Sequence, residues 1–179
     1  RRLGDAPVIY SREETDRTAM ELVKAVQNMG YMGAKVDIVR QAKRKKMKLL
    51  YQVYTGKPYR VGSIKYDIPD ERIRQYVLQD SASTLLYEGM RFDINVLDAE
   101  RRRITDHLLQ NGYYRFNKEY ISYTADTAQN SYRVDLTLSL LPYRPHDKDE
   151  PQNHRQYTIR QVNFITDYNT LQPSATSNS

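Results

Sequence analysis

Residue types that commonly do chemistry are sparse in this sequence, and their spacing limits what they could do. Among the 179 residues there is no cysteine, which excludes a thiolate metal site, a disulfide framework, a catalytic thiol and a redox pair. The three histidines are His107, His146 and His154. His146 and His154 flank Asp147, Asp149 and Glu150, with Pro145 and Pro151 in the same stretch. A carboxylate–histidine metal site needs ligands converging on a rigid frame, so this stretch reads as a loop with no metal. His107 reads as a surface residue on the polar side of a helix. No glycines are spaced to cradle a phosphate, and no serine sits in a motif that would pair it with a histidine and an aspartate. Neither an enzyme nor a cofactor is expected. The sharpest charged feature is Lys43-Arg44-Lys45-Lys46. One reading is contact with anionic headgroups or an acidic partner, at about 1 kcal/mol per cation near a membrane surface. The plainer reading is a hairpin tip kept soluble by charge.

The net charge is +6 (28 basic minus 22 acidic), which brings nucleic acid and anionic surfaces to mind first. A nucleic-acid reader would need aromatic platforms on a sheet face and a long basic stripe, and no such signature surrounds the aromatics here. A basic α+β nucleic-acid-binding fragment is therefore the alternative, not the leading reading. Mean hydropathy is -0.80 with 39% hydrophobic residues, polar for a folded chain but not enough for disorder. Tyrosine supplies 16 residues against 3 Phe and no Trp, so apolar area is buried by rings with a polar tip, which suits half-buried strands. No run approaches the roughly 18–20 apolar residues that cross a bilayer. The chain opens Arg1-Arg2-Leu3 without Met or an apolar leader, and is read as a piece of a longer protein.

An internal repeat organises the rest. Residues 22–31 (LVKAVQNMGY) recur at 104–113 (ITDHLLQNGY), an offset of 82 (104 minus 22). Residues 59–66 (YRVGSIKY) recur at 157–164 (YTIRQVNF), an offset of 98 (157 minus 59), so about 16 residues have entered the second copy near the polar, proline-containing stretch 142–156. In each copy a capping residue, Ser11 or Asp93, precedes apolar positions at helical spacing: Ala19, Leu22, Val23, Val26 and Met29, then Leu97, Ile104 and Leu108. Gly30 and Gly112 stop those helices. Alternating strands follow: Val36 and Ile38, a turn over 41–46, then Met47, Leu49, Tyr51 and Val53; and Ile121 and Tyr123, a turn over 125–131, then Tyr132 through Leu140. A strand over 59–66 and a short helix near 69–79, with Ile73, Tyr76 and Val77 apolar, precede the second long helix.

The full unit is thus strand, short helix, long helix, strand, strand, and the fold class is α+β. Each unit is a small three-stranded mixed sheet with two helices on one face. Four segments are expected: a partial unit over 1–57 lacking its first strand and short helix, a complete unit over 58–143, a linker or loop over 144–156, and the opening strand of a third unit plus a disordered end over 157–179.

Tandem β-α-α-β-β units with these marks resemble the POTRA (polypeptide-transport-associated) domains of BamA/TamA-like outer-membrane barrel assembly and translocation proteins. The residues carrying the likeness are Tyr59, Val61, Ile64, Gly89, Phe92, Asp93, Leu97, Ile104, Leu108, Gly112-Tyr113 and the Val134, Leu136, Leu138 strand, with Tyr31, Tyr51, Val53 and Gly56 in the preceding copy. The likeness covers nearly the whole chain except its tail. It implies a periplasmic arm attached to the outer membrane through a C-terminal barrel that lies outside this sequence. It also implies binding of unfolded outer-membrane proteins and accessory lipoproteins by strand addition at a sheet edge. An edge offers unpaired N–H and C=O groups to any extended chain, whatever its sequence. The expected edges are 34–41, with Val36 and Ile38, and 114–123, with Tyr114, Phe116, Tyr120, Ile121 and Tyr123. The tyrosines either give a client rings to pack on or simply cover a solvated face. An anionic membrane surface is a further partner suggested by Lys43–Lys46. Strand exchange between copies of the chain is another, because one unit lacks the opening strand that residues 157–166 resemble.

Overall fold

Ser11 opens the first helix, α1 (Arg12–Asn28): its hydroxyl accepts the Glu14 amide at 3.3 Å, and Glu13 and Glu14 place negative charge at the positive end of the helix dipole. The computed structural model describes residues 9–127, 131–144 and 150–164. His146, Asp147 and Asp149, the last two residues of the expected strand over 157–166, and the expected disordered end lie outside them. Gly30 ends α1 at φ +93°, and the amides of Gly30 and Tyr31 donate to the carbonyls of Gln27 and Val26. That bond pair is a Schellman motif, which satisfies carbonyls the helix would otherwise leave bare. The second long helix, α3 (Ile94–Gln110), repeats the design. Asp93 accepts the Asn95 amide at 2.9 Å, Gly112 has φ +88°, and Gly112 and Tyr113 donate to Leu109 and Leu108.

Strands β1 (Lys35–Lys43) and β2 (Lys46–Tyr54) form an antiparallel hairpin in which Lys35 lies opposite Tyr54 and Lys43 opposite Lys46. The turn expected over 41–46 contracts to Arg44-Lys45, since each added ladder pair satisfies backbone groups whatever the side chains carry. Helix α1 lies against the hairpin, tied by Arg40 to Asp16 at 2.7 Å. Ala19, Leu22, Val23 and Val26 are only half-buried and Met29 is exposed, because two strands cannot cover a whole helix face.

The second unit runs β3 (Arg60–Asp67), α2 (Glu71–Gln79), α3, β4 (Ile121–Thr127), β5 (Arg133–Leu140). The fold is α+β with a mixed sheet in the order β3-β5-β4, β3 parallel and β4 antiparallel to β5. Along β5, Val134, Leu136, Leu138 and Leu140 are buried while Arg133 and Asp135 are exposed, so a period of two separates core from solvent. One core cluster joins Ile73 and Val77 of α2 to Ile104 and Leu108 of α3 and to Ile121 and Leu138. The other joins Phe92 and Leu97 to Val61, Val134 and Leu136. Each such side chain contributes about 1.5–3 kcal/mol by leaving water, and together they hold both helices on one face.

The two units meet where the Tyr59 amide donates to the Gly30 carbonyl at 2.8 Å and the Phe92 amide to the Tyr59 carbonyl at 2.9 Å. After β5 the chain turns back on itself. Tyr143 and Gln152 exchange backbone bonds of 3.0 and 2.9 Å, and the His154 ring lies 4.9 Å from Phe116 and 4.6 Å from Tyr120. His154 is therefore packed, not loose. The segment 157–164, expected as the opening strand of a further unit, makes no ladder among the described residues: Tyr157 bonds Gly112, and beyond it no described strand pairs with it. Extended backbone becomes a strand only with a ladder partner. No helix among the described residues is long and apolar enough to cross a membrane.

Candidate functional site

Strand β5 occupies the centre of the second sheet because its inward row is apolar without interruption, so β3 and β4 are left at the margins. The β3 margin is closed at its start. Val61 donates to Met90 at 2.9 Å, Gly89 donates to Val61 at 2.8 Å, and Arg60 makes an isolated bridge with Arg91. The β4 margin is open: among the described residues nothing pairs with its outer side.

Hydrogen-bond alternation states which groups that margin offers. Leu141 donates to Tyr120 at 2.8 Å, which extends the β4–β5 register by one hydrogen-bonded pair. Antiparallel pairing alternates, so Ser122, Thr124 and Asp126 turn their backbone groups toward β5. Ile121, Tyr123, Ala125 and Thr127 turn theirs outward. On the far side of β5, Tyr132 accepts the Arg60 amide at 2.9 Å, as the same alternation requires. The open margin is a row of donors and acceptors one residue apart in every two, spaced for an extended chain.

The side chains along β4 are less available than its backbone. Ile121 is buried, and Tyr123 packs inward against both core clusters. The Tyr123 hydroxyl is buried without a hydrogen-bond partner among the described residues, and burial, helped by the nearby Glu100 charge, pushes its pKa well above the usual phenol value. Thr124, Ala125, Asp126 and Thr127 are exposed. Within the tyrosine-rich edge expected over 114–123, the strand itself begins at Ile121. Tyr114 is exposed but meets Tyr157 edge-on at 4.5 Å, Phe116 is buried in the core, and Tyr120 is half-buried beside Phe116 at 5.6 Å. The physical reason is local. Phe116 donates back to Tyr113 at 2.8 Å, and the Asn117 side chain accepts the Glu119 amide at 2.9 Å, opening a one-turn 3-10 helix (Lys118–Tyr120). These turn bonds override the strand preference of the tyrosines.

Val36 and Ile38 lie on β1, whose outer side also lacks a strand partner among the described residues, and both are half-buried on the hairpin. Lys43 and Lys46 end the two strands of that hairpin, and Arg44 and Lys45 form its turn, remote in the topology from β4. The structure thus places Ile121 and Tyr123 on one edge strand and Val36 and Ile38 on another, with Tyr114, Phe116 and Tyr120 ahead of the first.

Sequence reading missed the polar network that stiffens the unit. Glu100 on α3 is buried, yet it accepts from Nε and Nη2 of Arg103 at 2.9 and 2.8 Å, the Thr84 hydroxyl at 2.8 Å and the Leu85 amide at 3.0 Å. Burial alone would raise its pKa, but these donors more than offset that and hold it below the ordinary glutamate value. Arg103 also pairs with Asp80 at the end of α2, and half-buried His107 lies 3.9 Å from the same carboxylate. The network pins the 80–86 connection to α3. A signal was present: position 100 falls three residues after Leu97 and four before Ile104, so a carboxylate stands in the apolar stripe. Among the described residues no group of three metal-ligating side chains comes together.

Comparison with protein-family models and with curated proteins finds no match. Among solved structures, the chain is similar to BamA from Haemophilus ducreyi lacking POTRA domains 1–3, at 16% identity and a TM-score of 0.42 over 76% of this chain and 24% of that one. It is similar to POTRA3-5 of Haemophilus influenzae BamA, at 14% identity and 0.40 over 73% and 48%. It is also similar to POTRA1-3 of the periplasmic domain of Omp85 from Anabaena, at 14% identity and 0.34 over 78% and 61%. The chain spans less than two thirds of each of these structures.

Proposed function

We propose that this chain is part of a periplasmic arm in outer-membrane protein assembly that takes extended client chains by adding them to the β4 edge. The observation that carries the reading is the outward row of backbone groups at Ile121, Tyr123, Ala125 and Thr127, open while the start of the β3 margin is closed. Main-chain pairing is blind to client sequence, which suits unfolded outer-membrane proteins of many kinds. Accessory lipoproteins would use the same mode, here or at β1. The ordered residues that resemble POTRA units, Phe92-Asp93 before the long helix and Asn111-Gly112-Tyr113 after it, support the same assignment, with a barrel further along the parent protein. A second copy of the chain is also a candidate strand donor through 157–164, where Ile159 and Phe164 are 85% and 90% exposed.

The chain has no cysteine, so Ala125→Cys introduces a unique thiol on the open edge. Disulfide capture of a barrel-strand peptide carrying one cysteine should succeed there in a register-dependent pattern, and fail from Arg60→Cys at the closed start of β3. Equal capture at both positions, or none at Ala125, overturns the reading.

A further inference from the structure

The positive charge of this chain is concentrated in one place. Of the net +6, five charges come from Lys43, Arg44, Lys45, Lys46 and Lys48, leaving +1 (6 minus 5) for everything else. These residues form the end of the β1–β2 hairpin, and every residue over 40–48 is exposed. Among the described residues none of the five makes an ion pair.

Two features of the turn work against its own stability. Lys43 and Lys46 face each other directly in the ladder, and like charges so placed repel. Arg44 adopts φ 55°, in the left-handed region where a two-residue hairpin ordinarily carries Gly, Asn or Asp. With Arg44 at positive φ and Lys45 not, turn chemistry alone would favour Gly at position 44. The cations therefore occupy positions that neither packing nor backbone geometry asks for, and external anions would relieve their repulsion.

We propose that this hairpin end docks on an anionic lipid surface. Four of the five cations are lysines, compact charges on flexible stems that suit a diffuse negative surface better than a planar bidentate site. Met47 and Leu50, 40% and 49% exposed, stand beside them and provide apolar area for the headgroup boundary. A single-stranded nucleic-acid site would need stacking rings, and residues 40–50 contain no aromatic. The proposal is independent of the β4 edge.

The measurement is co-sedimentation of the full chain with vesicles of phosphatidylcholine alone and of phosphatidylcholine mixed with phosphatidylglycerol, at two salt concentrations. The chain should bind the mixed vesicles selectively, and less at high salt. The variant Arg44→Gly, Lys45→Asn, Lys46→Gln should bind them at least about tenfold more weakly, a screened fraction of about 1 kcal/mol per cation. Its Tm should hold or rise, because its turn is better formed, so lost binding cannot be lost folding. Equal binding to neutral vesicles, undiminished binding by the variant, or tighter binding to oligothymidylate or polyglutamate than to the mixed vesicles would overturn the proposal.

Discussion

The Tyr157 amide donates to the Gly112 carbonyl at 2.8 Å, and in the preceding copy the Tyr59 amide donates to Gly30 at the same distance. The repeat in the sequence is thus a repeat of a joint. The glycine that ends each long helix hands its carbonyl to the start of the next segment. Each glycine also leaves no room for a side chain: a Cβ would lie 2.4 Å from the Phe92 carbonyl oxygen at Gly30, and 2.5 Å from that of Tyr157 at Gly112.

Gly30→Ala and Gly112→Ala should therefore destabilise more than Gly56→Ala. All three glycines have positive φ, at about 1–2 kcal/mol for a Cβ in that region, but Gly56 has no atom within 4 Å of an added Cβ. Overlap should add about 1–3 kcal/mol at the two joints. Urea denaturation of the three variants checks the order, and equal losses would contradict the joint.

Glu100→Ala should cost about 3–5 kcal/mol in the same assay, since it leaves Arg103 half-buried beside Asp80 without its main partner. Glu100→Gln keeps the volume and should cost less. Loss of helix–loop order should appear first as faster amide exchange over 84–86, because the Leu85 amide donates to this carboxylate.

The pH dependence follows from the direction of the Glu100 shift. Its folded pKa lies below the ordinary glutamate value of 4.5, so the folded state favours the ionised form and the stabilisation is complete above the unfolded pKa. It is lost as pH falls from about 4.5 through the folded value. Acid titration of stability should show a steeper decline for the wild-type chain than for Glu100→Gln.

Tyr123→Phe should hold or raise stability, by up to about 1 kcal/mol, because it removes a buried hydroxyl that has no partner among the described residues. A loss would mean that the hydroxyl is satisfied in solution.

A proline pair separates edge binding from folding. Ala125→Pro removes an outward amide and should weaken client capture at least several-fold while leaving Tm within a few degrees. Thr124→Pro removes an amide that faces β5 and should lower Tm strongly. Capture that survives Ala125→Pro would argue against strand addition at β4.

Much of this was legible in the residues. Helix ends are local events, so Ser11, Asp93, Gly30 and Gly112 could be read directly, and the period of two along Val134 to Leu140 announced the central strand. The α+β order followed from these local signals. Other features depend on what lies across space. Phe116 and Tyr120 have strand-forming side chains, but turn bonds at Tyr113 and Asn117 put them in the core and a 3-10 turn. The 157–164 segment has the pattern of a strand, yet pattern does not supply a ladder partner. Which edge is open was decided by the 89–92 segment closing over the start of β3, a contact between residues about 30 apart that periodicity cannot encode. Glu100 is the clearest division. Its place in the apolar stripe is written in the sequence, whereas its meeting with Thr84, Leu85 and Arg103 exists only once the helix packs.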